Sequence, residues 1–137
     1  MSILAPVSVG EFLDKLTILE IKSERISDPE KLANIRRELA ALRAIWASSP
    51  YAEADLEPEY SRLKEVNERL WEIEDEIREQ ERQQRFDARF IELARAVYVT
   101  NDRRAELKKA LNLKLGSDLT EEKSYTEYQG SATDSNR

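Results

Sequence analysis

Apolar side chains recur at alternating spacings of three and four residues in Leu32, Ile35, Leu39, Leu42 and Trp46, and again in Leu63, Val66, Leu70, Ile73 and Ile77. A stripe with that period lies on one face of an α-helix and cannot lie on one face of a strand, so these segments commit the chain to helices that bury one side. Only three glycines occur among 137 residues and 36% of residues are charged, which suits long solvent-facing helices better than a sheet-rich or loop-rich design. The expectation is an all-α helical bundle of four to five helices: a central N-terminal helix, an αα-hairpin and a long third helix. With 40% hydrophobic residues the chain can bury one modest core. The division expected is an N-terminal extension over 1–7, one bundle domain over 8–116 and a polar tail over 117–137.

Local signals place the helix ends. Ser8-Val-Gly-Glu11 has the form of a capping box, so helix one should begin near Val9. Around it Val9, Phe12, Leu13, Leu16 and Leu19 share one face, while Ile18 and Ile21 fall on nearly the opposite one; a helix apolar on two sides belongs in the centre. Asp28-Pro29 supplies an N-cap and a first-turn proline for helix two, which should run to about Ser48. The stretch from Ser48 to Pro58 holds two prolines without periodicity and reads as a loop. Helix three then starts near Pro58 and continues at least to Glu81. Arg78 to Arg85 contains no apolar residue, so that stretch should project into solvent, bend or meet a partner. The pattern resumes at Phe86, Phe90, Leu93 and Val97, and Thr100-Asn-Asp102 is expected to break the chain into a further, last helix that ends where Gly116 can take a left-handed conformation. Beyond it the tail is polar; Glu121 to Tyr125 could still pack, and the end from Gly130 reads as disordered.

Composition also bounds the chemistry. The chain has no histidine and no cysteine, which removes the commonest zinc ligands, the thiol nucleophile and the imidazole base. Its net charge of -6 disfavours nucleic acid as a partner. No stretch has the apolar length of a membrane span and the start lacks a secretion-signal pattern, so a cytoplasmic protein without a membrane partner is expected.

Several carboxylates interrupt the apolar stripes. Glu20 lies among Val9, Leu13 and Leu16, and Asp14 lies beside Ile18 and Ile21; on helix three Asn67 and Glu74 share the face of Leu63 and Leu70, with Arg78 one turn beyond Glu74. Polar groups in such places need partners. One reading is a structural network that sets helix register. The other is a ligand pocket of Asp14, Lys15, Glu20, Asn67, Glu74 and Arg78, in which Lys15 or Arg78 receives an anionic group. A further basic set, Arg95, Asn101, Arg103, Arg104 and Lys108, could hold an anion near the start of the last helix, or be a solvated face. Two Glu-x-x-Asp pairs, Glu11 with Asp14 and Glu72 with Asp75, offer a magnesium alternative, although this acidic chain would produce that spacing by chance and no cofactor is the first expectation. Trp46 and Trp71 read as core or interface anchors.

Val7-Ser-Val-Gly-Glu-Phe-Leu-Asp-Lys-Leu-Thr-Ile-Leu-Glu-Ile-Lys22 resembles the opening of a small uncharacterised bacterial and phage family, domain of unknown function 6165. Leu70-Trp-Glu-Ile-Glu-Asp-Glu-Ile-Arg78, Phe90-Ile-Glu-Leu-Ala-Arg95, Tyr98 with Asn101-Asp-Arg-Arg-Ala105, and Gly116-Ser with Glu121-Glu-Lys-Ser-Tyr125 resemble its later segments, so the likeness spans Val7 to Tyr125. The resemblance implies no reaction; it implies an association with surface-sugar synthesis. It also places Asp14, Lys15, Glu20, Lys22, Trp71, Glu74, Asp75, Arg78, Arg95, Asn101, Arg104 and Lys123 inside matching segments. The leading functional expectation is a non-catalytic binding or assembly module beside sugar or nucleotide-sugar enzymes, self-associating along a coiled-coil-like helix three, with a dimer favoured. A protein partner and an anionic small molecule are the other expected partners. The rival is a small carboxylate-dependent enzyme for a phosphorylated or carboxylated metabolite, of helical pyrophosphohydrolase or mutase type.

Overall fold

The computed structural model describes residues 1–128, and among these all regular structure is helical: α1 (Val9–Arg25), α2 (Pro29–Ala47), α3 (Glu59–Arg82) and α4 (Ala88–Leu115). The caps follow the local chemistry. The Ser8 hydroxyl accepts from the Glu11 amide at 3.1 Å, and the Asp28 carboxylate accepts from the Lys31 amide at 2.9 Å, with Pro29 in the first turn. Gly116 sits at φ 65° and ends α4 in the left-handed region that a β-carbon disfavours.

α3 and α4 form an antiparallel hairpin, pinned at one end by Lys114 to Glu59 at 2.8 Å and at the other by Arg89 to Glu76 at 2.7 Å. α1 lies on that hairpin and runs antiparallel to α4, since Glu11 meets Lys108 and Asp14 meets Arg104. α2 packs on α1 alone. The helix expected to be central is therefore central: its broader apolar face feeds two cores, and Ile21 on the opposite face is buried as well. Val9 and Leu13 join Leu63, Leu107 and Leu111, with Trp46 and Tyr60 packed against them; Leu16 and Leu19 join Leu39, with Phe12, Ile35 and Leu42 around them. Fully burying one such leucine contributes about 1.5–3 kcal/mol, so these few side chains supply most of the drive to assemble. Trp46 stacks between Phe12 and Tyr51, with centroids 5.8 and 5.9 Å away.

The bend that residues 78–85 allowed for is present, and one expectation changes. Residues 78–85 belong to the end of α3 and the turn that follows, which explains their lack of apolar side chains: they form the tip of the hairpin. The turn closes with the Arg85 amide donating to the Gln80 carbonyl at 2.9 Å and Gln84 at φ 56°. The break expected at 100–102 is absent, and α4 is one helix of 28 residues. Asp102 does not cap; its carboxylate instead takes Lys123 at 2.8 Å, and the cap that opens α4 is Asp87, which accepts from the Arg89 amide at 3.2 Å. The bundle thus has four helices over the described residues.

α3 turns its apolar stripe inward, with Leu63 and Ile73 buried and Val66, Leu70 and Ile77 half-buried. After Gly116 the chain runs back along α4, held by Glu121 to Lys108 at 3.0 Å and by the Lys123–Asp102 pair. The expectation for the chain from Gly130 lies outside the described residues. No helix among those described is long and apolar enough to cross a membrane.

Candidate functional site

The site grows from one buried carboxylate. Asp14 is 1% exposed, which an unpaired charge would not tolerate, and three groups satisfy it. Arg104, 90 positions away on α4, donates Nε to Oδ1 at 2.8 Å and Nη2 to Oδ2, a two-pronged clamp. Asn67 on α3 donates its amide to the same Oδ1 at 2.9 Å and to the Thr17 hydroxyl at 2.8 Å, while that hydroxyl donates to the Asp14 carbonyl at 2.7 Å. The bond to Asp14 holds the Arg104 guanidinium above its ordinary pKa against the opposing pull of burial. The cluster ties α1, α3 and α4 together and fixes the Arg104 fork in one plane.

Beside it opens a cleft of about 520 Å³ between the same three helices. Ile18, Ile21, Leu70 and the half-buried Trp71 make its apolar floor; Glu74, Asp75, Arg78 and Asn101 stand at its rim, and Asn67 and Arg104 form the inner wall. The helical period explains the set: Trp71, Glu74, Asp75 and Arg78 lie one turn apart along α3, next to the seam with α4. Arg78 donates Nε to Glu74 at 3.1 Å, as the spacing predicted, but both side chains stand largely in solvent and not inside the bundle. Asp75, Asn101 and the Trp71 indole bond to no other described side chain.

The remaining expected site residues are distributed elsewhere. Glu20 faces the α2–α3 side, where it accepts from the Tyr60 hydroxyl and lies 3.5 Å from Arg43. Burial, reinforced by that bond to Glu20, pushes the Tyr60 phenol well above its ordinary pKa. Lys15 is exposed, pairs with Glu38 of α2 at 3.1 Å and does not line the cleft. Of the basic set, Asn101 and Arg104 reach the cleft. Arg95 reaches only toward Tyr98, at 3.4 Å, and Arg103 pairs with Glu106 at 3.2 Å. Lys108 is buried between Glu11 at 2.5 Å and Glu121 at 3.0 Å; burial lowers its pKa, but the two carboxylate bonds outweigh it and leave the ammonium raised. The same contact holds Glu121 below the usual carboxylate range. Arg103 and Lys108 line a second hollow of about 970 Å³ between α4 and the returning chain, closed on its far side by Lys123 and Tyr125.

The four carboxylates of the magnesium alternative do not converge. Glu11 is taken by Lys108, Asp14 by Arg104, Glu72 lies 3.5 Å from Arg25, and Asp75 stands alone; no three acidic side chains among the described residues come close enough to share a metal ion. The residues present do not fit that cofactor.

Sequence reasoning missed Thr17, whose fully buried hydroxyl completes the Asp14 cluster, and the docking of the α1 start onto α4. There the Gly10 amide donates to Asn112 Oδ1 at 2.6 Å and the Val9 amide to Ser117 Oγ at 3.1 Å. Asn112, set between Leu111 and Leu113, was the readable sign, and in the fold its buried amide finds that partner. Trp71, expected as a core or interface anchor, is half-buried and lines the cleft.

Among known proteins, the model of a family of unknown function, DUF6165, matches residues 3–136. No curated protein matches, and no solved structure does.

Proposed function

This chain belongs to the DUF6165 family, a family of unknown function, and from the chemistry of its cleft we propose that it is a small binding and assembly module for a polar, ring-bearing metabolite of the sugar class. The observation that carries the reading is the cleft's unspent capacity: an apolar floor with a half-buried tryptophan beside Asp75 and Asn101, whose polar groups engage no other described side chain. A sugar ring has the complementary make-up, with an apolar face of C–H groups and an edge of hydroxyls that both donate and accept. Its face would lie on Trp71 and Leu70, and its edge against Asp75, Asn101 and the outer side of Arg104. Chain-held arginine, fixed by Asp14, gives that edge a rigid donor without leaving a free positive charge. A nucleotide sugar would enter sugar first, because the unpaired Asp75 carboxylate repels a pyrophosphate at the rim. Assembly is the other half of the reading. α4 leaves Ile91, Tyr98 and Val99 between 44% and 57% exposed, a face for self-association as a dimer.

Thermal-shift measurements against sugars, sugar phosphates and nucleotide sugars test the site. A sugar that raises the midpoint of the native chain, with the rise removed by Trp71→Ala and Asp75→Asn, supports it; a flat response across all three classes refutes it. Light scattering after gel filtration tests the dimer. The rival reading, a carboxylate-dependent enzyme, would rest on Asp75, and turnover of a compound found by the screen that Asp75→Asn abolishes would replace the binding reading.

A further inference from the structure

We infer that the cleft takes a cationic group: a protonated primary amine on the ring-bearing ligand, seated between the Trp71 ring and the Asp75 carboxylate at the rim. The inference rests on the reading of the cleft as a sugar site and narrows it to amino sugars.

Charge is the first reason. Both guanidinium groups of the cleft are already matched, Arg104 by Asp14 behind the wall and Arg78 by Glu74, so once Asp14 is counted with the lining residues Asp75 is left as one negative charge in excess. An anion entering there meets an uncompensated carboxylate and no free cation; an ammonium meets the reverse.

The second reason lies deeper in the wall. Asn67 is only 6% exposed, and both bonds of its side-chain nitrogen are directed into the protein, to Asp14 and Thr17. Its Oδ1 accepts from no described residue. Asn67 itself lines the cleft, so a ligand there comes beside an amide whose oxygen accepts from no described residue. An acceptor without a donor from the protein leaves that bond to a ligand or to water. With Asp75 and the Asn101 carbonyl the cleft presents a surplus of acceptors, which an ammonium with three N–H groups satisfies and a carboxylate or phosphate cannot.

The third reason is the ring. Trp71 and Asp75 are one turn apart on α3, so an ammonium bound to the carboxylate comes within reach of the indole face, the strongest of the aromatic cation acceptors.

The test is a titration of the full chain, labelled with nitrogen-15, at pH 7 with glucosamine, glucose, N-acetylglucosamine, glucuronic acid and cyclohexylamine. The Trp71 indole and the Asn67 and Asn101 side-chain amides report occupancy. The expected result is saturable shifts at those groups with glucosamine, at least tenfold weaker binding of the three sugars without a free amine, and at least a fivefold loss for glucosamine in Asp75→Asn. Asp75 is exposed and unpaired, so that variant keeps the fold, and unchanged resonances elsewhere verify it. Glucose binding as tightly as glucosamine overturns the amine and leaves the sugar reading standing. Cyclohexylamine binding without glucosamine supports the amine seat and overturns the sugar reading. Glucuronic acid binding tightest, an undiminished glucosamine affinity in Asp75→Asn, or no shift with any probe overturns the inference.

Discussion

Replacing Gly10 by alanine should destabilise the protein by about 3 kcal/mol, although alanine is the better helix former by about 1 kcal/mol. A β-carbon at Gly10 would stand 2.3 Å from the Lys108 carbonyl oxygen, 2.9 Å from its carbonyl carbon and 3.1 Å from Asn112 Oδ1. Ordinary contact needs about 3.5 Å, so the start of α1 must retreat from α4 by roughly 1 Å. Backbone supplies the obstacle, and no rotamer can relieve it. The retreat stretches the 2.6 Å bond from the Gly10 amide to Asn112 beyond hydrogen-bond range and opens the packing of Val9 and Leu13 on Leu107 and Leu111. Forcing the extra carbon in costs about 1–3 kcal/mol, and a buried amide left without its acceptor costs about 1–3 kcal/mol. These costs overlap and are offset in part by the helix gain, which gives the figure of about 3 kcal/mol. With an unfolding entropy of about 2.1 cal/mol/K per residue over this length, the midpoint should fall by roughly 10 °C in a calorimetric scan. Gly116→Ala is the control: the left-handed φ of 65° is strained, but nothing lies within 4 Å, so the loss should be about 1 kcal/mol. A Gly10→Ala protein melting within about 3 °C of the parent, or above it, would refute the close approach of α1 to α4.

Asp14→Asn should cost about 2–4 kcal/mol in urea unfolding, because it leaves a part-buried Arg104 without its carboxylate, whereas Lys15→Ala, which breaks only an exposed pair, should stay within about 0.5 kcal/mol; equal effects would remove the distinction. Tyr60→Phe should cost about 1–2 kcal/mol, by removing a bond to a charged acceptor. The Tyr60 phenol is raised in the folded chain, so its contribution is complete below the ordinary tyrosine pKa near 10 and is lost as pH rises toward the folded value. The stability gap between the parent and Tyr60→Phe should therefore be constant from pH 7 to 9 and narrow above 10; a gap that widens there would contradict the sign. Gln84→Gly should raise stability by about 1 kcal/mol, by relieving a left-handed conformation at φ 56° in the hairpin turn, and an unchanged or lowered midpoint would place no strain there.

What the linear chain determined was everything that depends on neighbours within a turn or two. The stripes of α2 and α3, the Ser8 and Asp28 caps and the end at Gly116 are written in spacings of three and four residues, and they survive into the folded protein because helix hydrogen bonds and caps have that reach. The two apolar faces of α1 were equally legible, and with them its central place. The pair of Glu74 with Arg78 was readable for the same reason. Where two local signals competed, as at Thr100-Asn-Asp102, the one that lost was decided from outside the segment: Lys123 claims the Asp102 carboxylate, and the unbroken apolar face of α4 keeps its packing.

Only the tertiary structure decided which polar residues meet. Asp14 and Glu20 looked alike in sequence, each a carboxylate in an apolar stripe, yet one is clamped by Arg104 beside the cleft and the other turns to Tyr60 and Arg43 on the far side. Arg95, Arg103, Arg104 and Lys108 formed one basic run in sequence and face different partners in the bundle. The physical reason is that side-chain chemistry and helical period are local, whereas the angle at which α1 crosses α3 and α4 depends on how Leu13, Leu63 and Leu111 fill one core. That packing brings residues 90 positions apart into contact, and the cleft with its unspent acceptors is its consequence.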